Sequence, residues 1–349
     1  MLAGSAALVV AAGVVRYTDV PAVLAFLVAG LAVALLASVV GRSVEQLGDR
    51  FGPGATGVLQ SALGNLPELF IGFFALKAGL VAVVQAAIIG SILSNILLVL
   101  GLAFVVGGLK NGVQRFNSDR ARTSAVLMVL ATGALVLPSL AEYVHAPAAP
   151  HEKTLSLIVS VILLGVFLLS LPASLKRTPA PVAAGEKPAE EKHGAESRWP
   201  LWLAITLLTV ASLAAALVSD WFVHALEPAI DALGISQAFA GLVIVAIAGN
   251  AIENVVGIQL AFRGQADFAM SVIIQSPIQI ALVLAPALVL LSLFTATTLT
   301  LVFAPMLVVA VAVTVIAVAF IVFDGESTWL EGATLIALYA IIATAFWWG

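Results

Sequence analysis

Two carboxylates stand near the middle of apolar segments long enough to cross a bilayer, and the residues around them repeat. Gly64-Asn65-Leu66-Pro67-Glu68 recurs as Gly249-Asn250-Ala251-Ile252-Glu253, the first inside an apolar stretch from Ala55 to Ala78 and the second inside one from Ala238 to Phe262. A crossing takes about 20 mostly apolar residues, so Glu68 and Glu253 both fall near mid-membrane. An unpartnered charge there costs at least about 3 kcal/mol, which makes each acid a functional candidate by default. A neutral, hydrogen-bonded helix contact is the alternative for one such acid, but two in matching frames argue against it. Asn65 and Asn250, Glu68 and Glu253, Gly79 and Gly264, and Ser91 and Ser276 are each 185 positions apart, so the register holds without a gap across two helices and their connection.

Composition narrows the chemistry. Of 349 residues, 62% are hydrophobic and 10% charged, the balance of an integral membrane protein. There is no cysteine, which removes disulfides, thiolate metal sites and cysteine nucleophiles. His145, His151, His193 and His224 lie in or beside polar connections, so zinc at mid-membrane would lack ligands.

The apolar segments read as eleven helices: Met1 to Val15, Val20 to Val40, Ala55 to Ala78, Val81 to Val106, Ser124 to Leu140, Leu155 to Leu175, Leu201 to Val218, Ala238 to Phe262, Phe268 to Phe294, Leu299 to Phe323 and Leu330 to Trp348. The first is short and lacks the basic start of a signal peptide. Setting it aside leaves five spans on either side of a polar stretch, and five is odd, so the halves enter the membrane from opposite sides. The expected fold is an all-α integral membrane protein: a first helix (1-17), a five-helix half (18-175), a cytoplasmic linker (176-199) and a second, inverted five-helix half (200-349). Such inverted repeats place substrate sites at the midplane.

Charge gives an independent orientation. Twelve of the fifteen basic residues fall in alternate connections: Arg42 and Arg50, then Lys110 to Arg122, then Lys176 to Arg198, then Arg263. Those connections are expected in the cytoplasm, which puts the N-terminus inside a cell (plasma) membrane. The linker carries Glu186, Glu190, Glu191 and Glu196, a cation sensor or a solvated connection. Asp220, Glu227 and Asp231, expected in an outer loop, either concentrate cations at an entrance or are simply wet.

Asn65 and Glu68, like Asn250 and Glu253, are three apart and share a helical face. An amide oxygen and a carboxylate offer the hard oxygens that Ca²⁺ prefers, so Glu68, Glu253, Asn65 and Asn250 are the candidate metal ligands. Gly64 and Gly249 allow close helix approach. Pro67 is expected to free the carbonyl of Leu63 and, in compensation for Ile252, Pro277 that of Ile273, so Gly64, Pro67, Gly249 and Pro277 mark candidate helix breaks. Gln85, Ser91, Ser94 and Asn95 in the first half and Asn254, Gln275, Ser276 and Gln279 in the second either complete the ion's shell or bond helix to helix.

The texts GNLPELFIGFFALKAG and QAAIIGSILSNILLVLG, and later GNAIEN and QSPIQIAL, resemble the two alpha repeats of the calcium/proton antiporter family, within the calcium/cation antiporter superfamily. The resemblance implies exchange of Ca²⁺ or a similar divalent cation for H⁺, with Glu68 and Glu253 binding metal or protons in turn. It implies no cofactor, Ca²⁺ and H⁺ as the transported ions, the lipid bilayer as surroundings and no nucleic-acid partner. Gly64-Asn65 stands where sodium-coupled relatives carry Thr-Ser, which favours protons. Leu66-Pro67-Glu68 is closer to the sodium-coupled wording, and Asn254 stands where the proton-coupled family commonly has His. Na⁺/Ca²⁺ exchange is therefore the near alternative and a cation channel the remote one. A membrane enzyme finds no metal-ligating His pair, cysteine nucleophile or phosphate loop to work with.

Overall fold

The computed structural model describes residues 2–51, 59, 63–175 and 199–348; the side chains of residues 49, 51, 170–175, 252 and 253 are outside that description. The expected linker and its four glutamates, like the start of the span expected from Ala55, therefore lie outside the described residues. In chain order the helices are α1 (Leu2–Arg16), α2 (Ala22–Phe51), α3 (Leu66–Lys77), α4 (Val81–Asn111), α5 (Ser118–Tyr143), α6 (Glu152–Leu175), α7 (Leu201–Leu233), α8 (Gln237–Gly249), α9 (Ala251–Phe262), α10 (Ala266–Phe294), α11 (Pro305–Ile321) and α12 (Trp329–Ala345). Six helical stretches among the described residues are long and apolar enough to cross a bilayer: Ala22–Gly48, α4, α5, Ala149–Leu169, α7 and α10. A seventh apolar run, α8 with α9, is bent by 62°, and α1, α11 and α12 are shorter apolar helices.

Three expectations about connections are corrected. α2 continues past Val40 because Val40, Ser43, Val44 and Leu47 recur three or four apart and are buried, while Arg42 stays outside. α7 likewise runs 33 residues, about 50 Å, instead of ending at Val218. Phe222, Val223, Leu226, Ala229 and Ile230 give its extension a buried stripe, so Asp220, Glu227 and Asp231 stand on the exposed side of a helix and not in a loop.

The third correction is the segment expected to be helical from Leu299. Helix begins only at Pro305, and before it the chain is extended, with Leu299, Leu301 and Phe303 buried in alternation. A buried extended backbone needs partners, and helix side chains supply them. The Ser139 hydroxyl donates to the Leu301 carbonyl and accepts from the Phe303 N–H, each at 2.9 Å, and Ser156 accepts from the Leu301 N–H at 2.9 Å. The Tyr143 hydroxyl donates to the Phe303 carbonyl. Apart from a two-residue antiparallel ribbon pairing Gln114 with Ser327 and Arg115 with Glu326, the regular structure of the described residues is helical.

The core centres on α4, where Ile89, Ile92, Leu93, Ile96, Leu97 and Leu100 are fully buried. Neighbours approach it through glycine. A Cβ on Gly90 would stand 2.3 Å from the carbonyl oxygen of Leu242 in α8, and one on Gly241 would stand 2.3 Å from that of Val83. On its far half, a Cβ on Gly101 would come within 2.8 Å of the carbonyl of Gly332 in α12. Both α4 and α10 also contain one π-wound stretch, Ser94–Val99 and Ile280–Leu284. α4, and α8 at Ala240–Val245, wind in this way without a proline, so a proline is not required for it.

Candidate functional site

Each motif places a turn immediately before a helix, and the second bends its span by 62°. The chain turns at Gly64 and Asn65 and α3 starts at Leu66; it turns again at Asn250 and α9 starts at Ala251. The two asparagines have nearly the same backbone, φ −92° and ψ 16° against φ −90° and ψ 18°. Their carbonyls accept the first helical bonds, from Leu69 N–H at 3.0 Å and Asn254 N–H at 3.1 Å. α3 and α9 are each 12 residues long, and each is followed by a glycine with positive φ, Gly79 at 84° and Gly264 at 77°, where L side chains are strained.

This geometry corrects the roles of the prolines. Pro67 is the second residue of α3, where a missing N–H costs nothing because the first N–H groups of a helix have no acceptor within it. Ile252 at the same place in α9 therefore needs no compensation. Pro277 lies within α10, where it withholds an N–H from the Ile273 carbonyl as expected, but the helix runs on through it to Gln279 and is not broken there. The breaks belong to the Gly-Asn pairs, residues that favour turns.

The break also decides where the acids sit. Glu68 is the third residue of α3 and Glu253 the third of α9, each at the positive end of a helix dipole, which favours a carboxylate. Glu68 is buried, with 9% exposure. Its side chain lies on Gly249: a Cβ there would stand 2.6 Å from Glu68 Cγ and 3.0 Å from Oε1. Gly249 is thus a seat for the first motif's acid, and close backbone approach between helices is made at Gly90 and Gly241. The side chain of Glu253 lies outside the described residues.

A cavity of about 410 Å³ opens beside Glu68, walled by α3, α4, α8 and α10. Among the described side chains that line it only Glu68 and Ser91 are polar; Ile71, Ile88, Leu284 and Leu288 make an apolar sleeve.

Asn250 is fully buried and tied to α4. Its Nδ2 donates to Ser91 Oγ and to the Ala246 carbonyl, both at 2.9 Å. Its Oδ1 accepts from Asn95 Nδ2 at 2.9 Å and from Ser276 Oγ at 3.3 Å. Asn65 is buried to 8% exposure, and its Nδ2 has no partner among the described residues. Of the other candidates, Ser94 and Gln279 are buried nearby on α4 and α10, and Asn254 is half-buried one turn beyond Asn250. Two are not brought to the centre. Gln85 donates instead to the carbonyls of Thr300 and Val302, bracing the extended segment, and Gln275 is exposed. The π windings have no sequence signal and were not foreseeable.

The motif helices end far apart. At the end of α9, just before α10 begins, Asn111 Nδ2 donates to the Ala261 carbonyl at 3.2 Å and Lys110 lies 3.5 Å from the centre of the Phe262 ring. Beyond α3, Thr297, past the end of α10, donates to the Leu76 carbonyl at 2.9 Å. The C-termini of α3 and α9 therefore lie at opposite ends of α10.

Long apolar helices, with one described span bent by 62° at a buried polar centre, define a multi-pass integral membrane protein of the transporter class. The chain belongs to the sodium/calcium exchanger protein family, whose model matches residues 21–176 and 203–348. It is 37% identical to a Ca(2+)/H(+) antiporter of Aphanothece halophytica, over 92% of this chain and 89% of that one. It is also 37% identical to the Ca(2+)/H(+) antiporter ChaA of Bacillus subtilis, over 93% of this chain and 92% of the other. The solved structure of native YfkE, 34% identical, superposes with a TM-score of 0.82 over 99% of this chain and 98% of that one.

Proposed function

We propose that the protein exchanges Ca²⁺, or a similar divalent cation, for H⁺ at one mid-membrane site holding Glu68 and Glu253, exposed alternately to the two sides. The observation that carries this is the seating of Glu68 on Gly249, which sets the acid of one motif against the break of the other. Asn65 flanks the acids as a candidate ligand, and the names of the similar antiporters supply the ion pair.

The chemistry suits exchange. Two nearby carboxylates in a low-dielectric site resist ionising together unless a cation or protons neutralise them. They titrate as a coupled pair, so metal arrival and proton departure are one event. Empty and doubly charged, the site is the species least able to change sides.

The architecture we infer is eleven crossings: a first helix, then two inverted five-helix halves, 18-175 and 200-349, joined by a cytoplasmic linker over 176-199. The opposite placement of the ends of α3 and α9 along α10 supports inversion, and the gathering of Lys110 with the Phe262 end of α9 agrees with a common cytoplasmic face. The N-terminus is then cytoplasmic, in a cell membrane.

The test is Ca²⁺ uptake into proteoliposomes driven by an imposed proton gradient or an imposed Na⁺ gradient, with Glu68→Gln and Glu253→Gln alongside. Proton-driven uptake abolished by either substitution is the expected result. Uptake that requires Na⁺ would move the chain to sodium coupling, and normal exchange by both variants would sink the two-acid site.

A further inference from the structure

The two motif asparagines occupy equivalent positions, yet their side chains are used differently. An asparagine just before a helix ordinarily accepts from the N–H groups of the first turn. Here neither does so, although both hold the same backbone angles and both are more than nine-tenths buried. Each amide is therefore released for another task.

That of Asn250 is fully committed. An amide has two donor hydrogens and an oxygen that accepts two bonds, and all four capacities are used, by Ser91, Ala246, Asn95 and Ser276. The orientation is fixed by chemistry, because the Ala246 carbonyl can only accept and so must face Nδ2. The same logic fixes Asn95, whose Nδ2 also donates to the Ser91 carbonyl at 2.8 Å. The Asn250 oxygen cannot turn to a cation without giving up its bonds to Asn95 and Ser276.

Asn65 has no such partners. The position 185 residues after Asn95, which would supply the matching amide, is Ile280, fully buried and without a polar atom in its side chain. Asn65 makes no side-chain hydrogen bond to its own helix, and its buried Nδ2 lacks any described partner. That orphaned Nδ2 is a donor, which a cation cannot use; what it marks is an amide that, unlike that of Asn250, is not held by hydrogen bonds among the described residues and can turn its oxygen to an ion.

Resting on the two-acid site proposed above, we infer that the halves divide labour: Asn65 supplies the amide oxygen to the transported cation, while Asn250 is a positioning residue, knotted by Asn95, Ser91 and Ser276 so that the second break stays fixed against α4. Asn95, opposed by Ile280, is the residue that makes the two motifs unequal.

The test compares Asn65→Ala, Asn95→Ala, Asn250→Ala and Ser276→Ala in the full-length protein. Ca²⁺ binding is measured by titration calorimetry in detergent at alkaline pH, together with melting temperature and Ca²⁺ flux per folded transporter. Asn65→Ala is expected to weaken Ca²⁺ binding about tenfold with little change in melting temperature. Asn95→Ala and Asn250→Ala are expected to keep the dissociation constant within about threefold, while melting several degrees lower and showing a reduced maximal flux at an unchanged half-saturating Ca²⁺ concentration. Should Asn250→Ala not fold, Ser276→Ala removes a single bond of the knot and is expected to show the same pattern in weaker form. Wild-type affinity in Asn65→Ala, or an equal loss of affinity in Asn250→Ala at unchanged melting temperature, would overturn the division of labour. Glu68→Gln separates this from the site itself: if that variant binds Ca²⁺ normally, the two-acid reading fails, whereas loss there with normal binding in Asn65→Ala overturns the present inference alone.

Discussion

Gly90 of α4 rests on the backbone of Leu242 in α8, so closely that a Cβ on it would stand 2.5 Å from the Leu242 Cα. The obstacle is main chain, which cannot swing aside as a side chain can. Gly90→Ala is expected to destabilise the protein by about 1–3 kcal/mol, through overpacking that pushes α8 away. A lower detergent melting temperature checks this; wild-type melting would mean that the crossing can open without strain.

Gly249→Ala places its methyl against Glu68, not against backbone. Displacing an acid by a fraction of an ångström disturbs the chemistry more than the fold. Exchange is expected to fall by about two orders of magnitude, as misplacement of a reacting group commonly does. Flux normalised to monodisperse protein on size-exclusion chromatography is the measurement.

Ser139 serves the extended segment before α11 with two hydrogen bonds and is fully buried. Ser139→Ala leaves the Leu301 carbonyl and the Phe303 N–H short of a partner, at a cost of about 1–3 kcal/mol. By contrast Arg115→Ala, which deletes an exposed 3.1 Å ion pair with Glu326, is expected to change stability by no more than about 1 kcal/mol. Melting both variants side by side separates a buried polar clasp from a surface pair.

Proton competition sets the sign of the pH dependence. Carboxylates that must be ionised to take a divalent cation bind it more weakly as pH falls. Each proton displaced per ion adds about tenfold in apparent affinity per pH unit below the titration range. A plot of log Kd for Ca²⁺ against pH is expected to slope towards two displaced protons, and a flat plot would exclude carboxylate competition.

Much of this architecture is legible without coordinates because the bilayer imposes strong periodic demands. Apolar length gives the helices, and a constant offset of 185 residues gives two matching helix pairs, whose glycines Gly79 and Gly264 share a positive φ. What escapes is set by tertiary partners. α7 continues beyond Val218 because its stripe from Phe222 to Ile230 finds a neighbour, and the stretch from Leu299 stays extended because Gln85, Ser139 and Ser156 satisfy its backbone. Pro67 invited the reading of a broken helix, whereas the break lies two residues earlier, at Asn65. The different bonding of Asn65 and Asn250 turns on Asn95, 155 residues from the amide to which it donates.

The wide turn at Ser94–Val99 makes α4 a shaft carrying two keys cut at different angles. One extra residue in the turn rotates everything beyond it by about 100° relative to a uniform helix. Upstream, Ser91 is keyed to Asn250; downstream, Gly101 is keyed to Gly332. Tightening that turn would drive one key against its lock, so neither end of the shaft can be re-aimed while the other stays engaged.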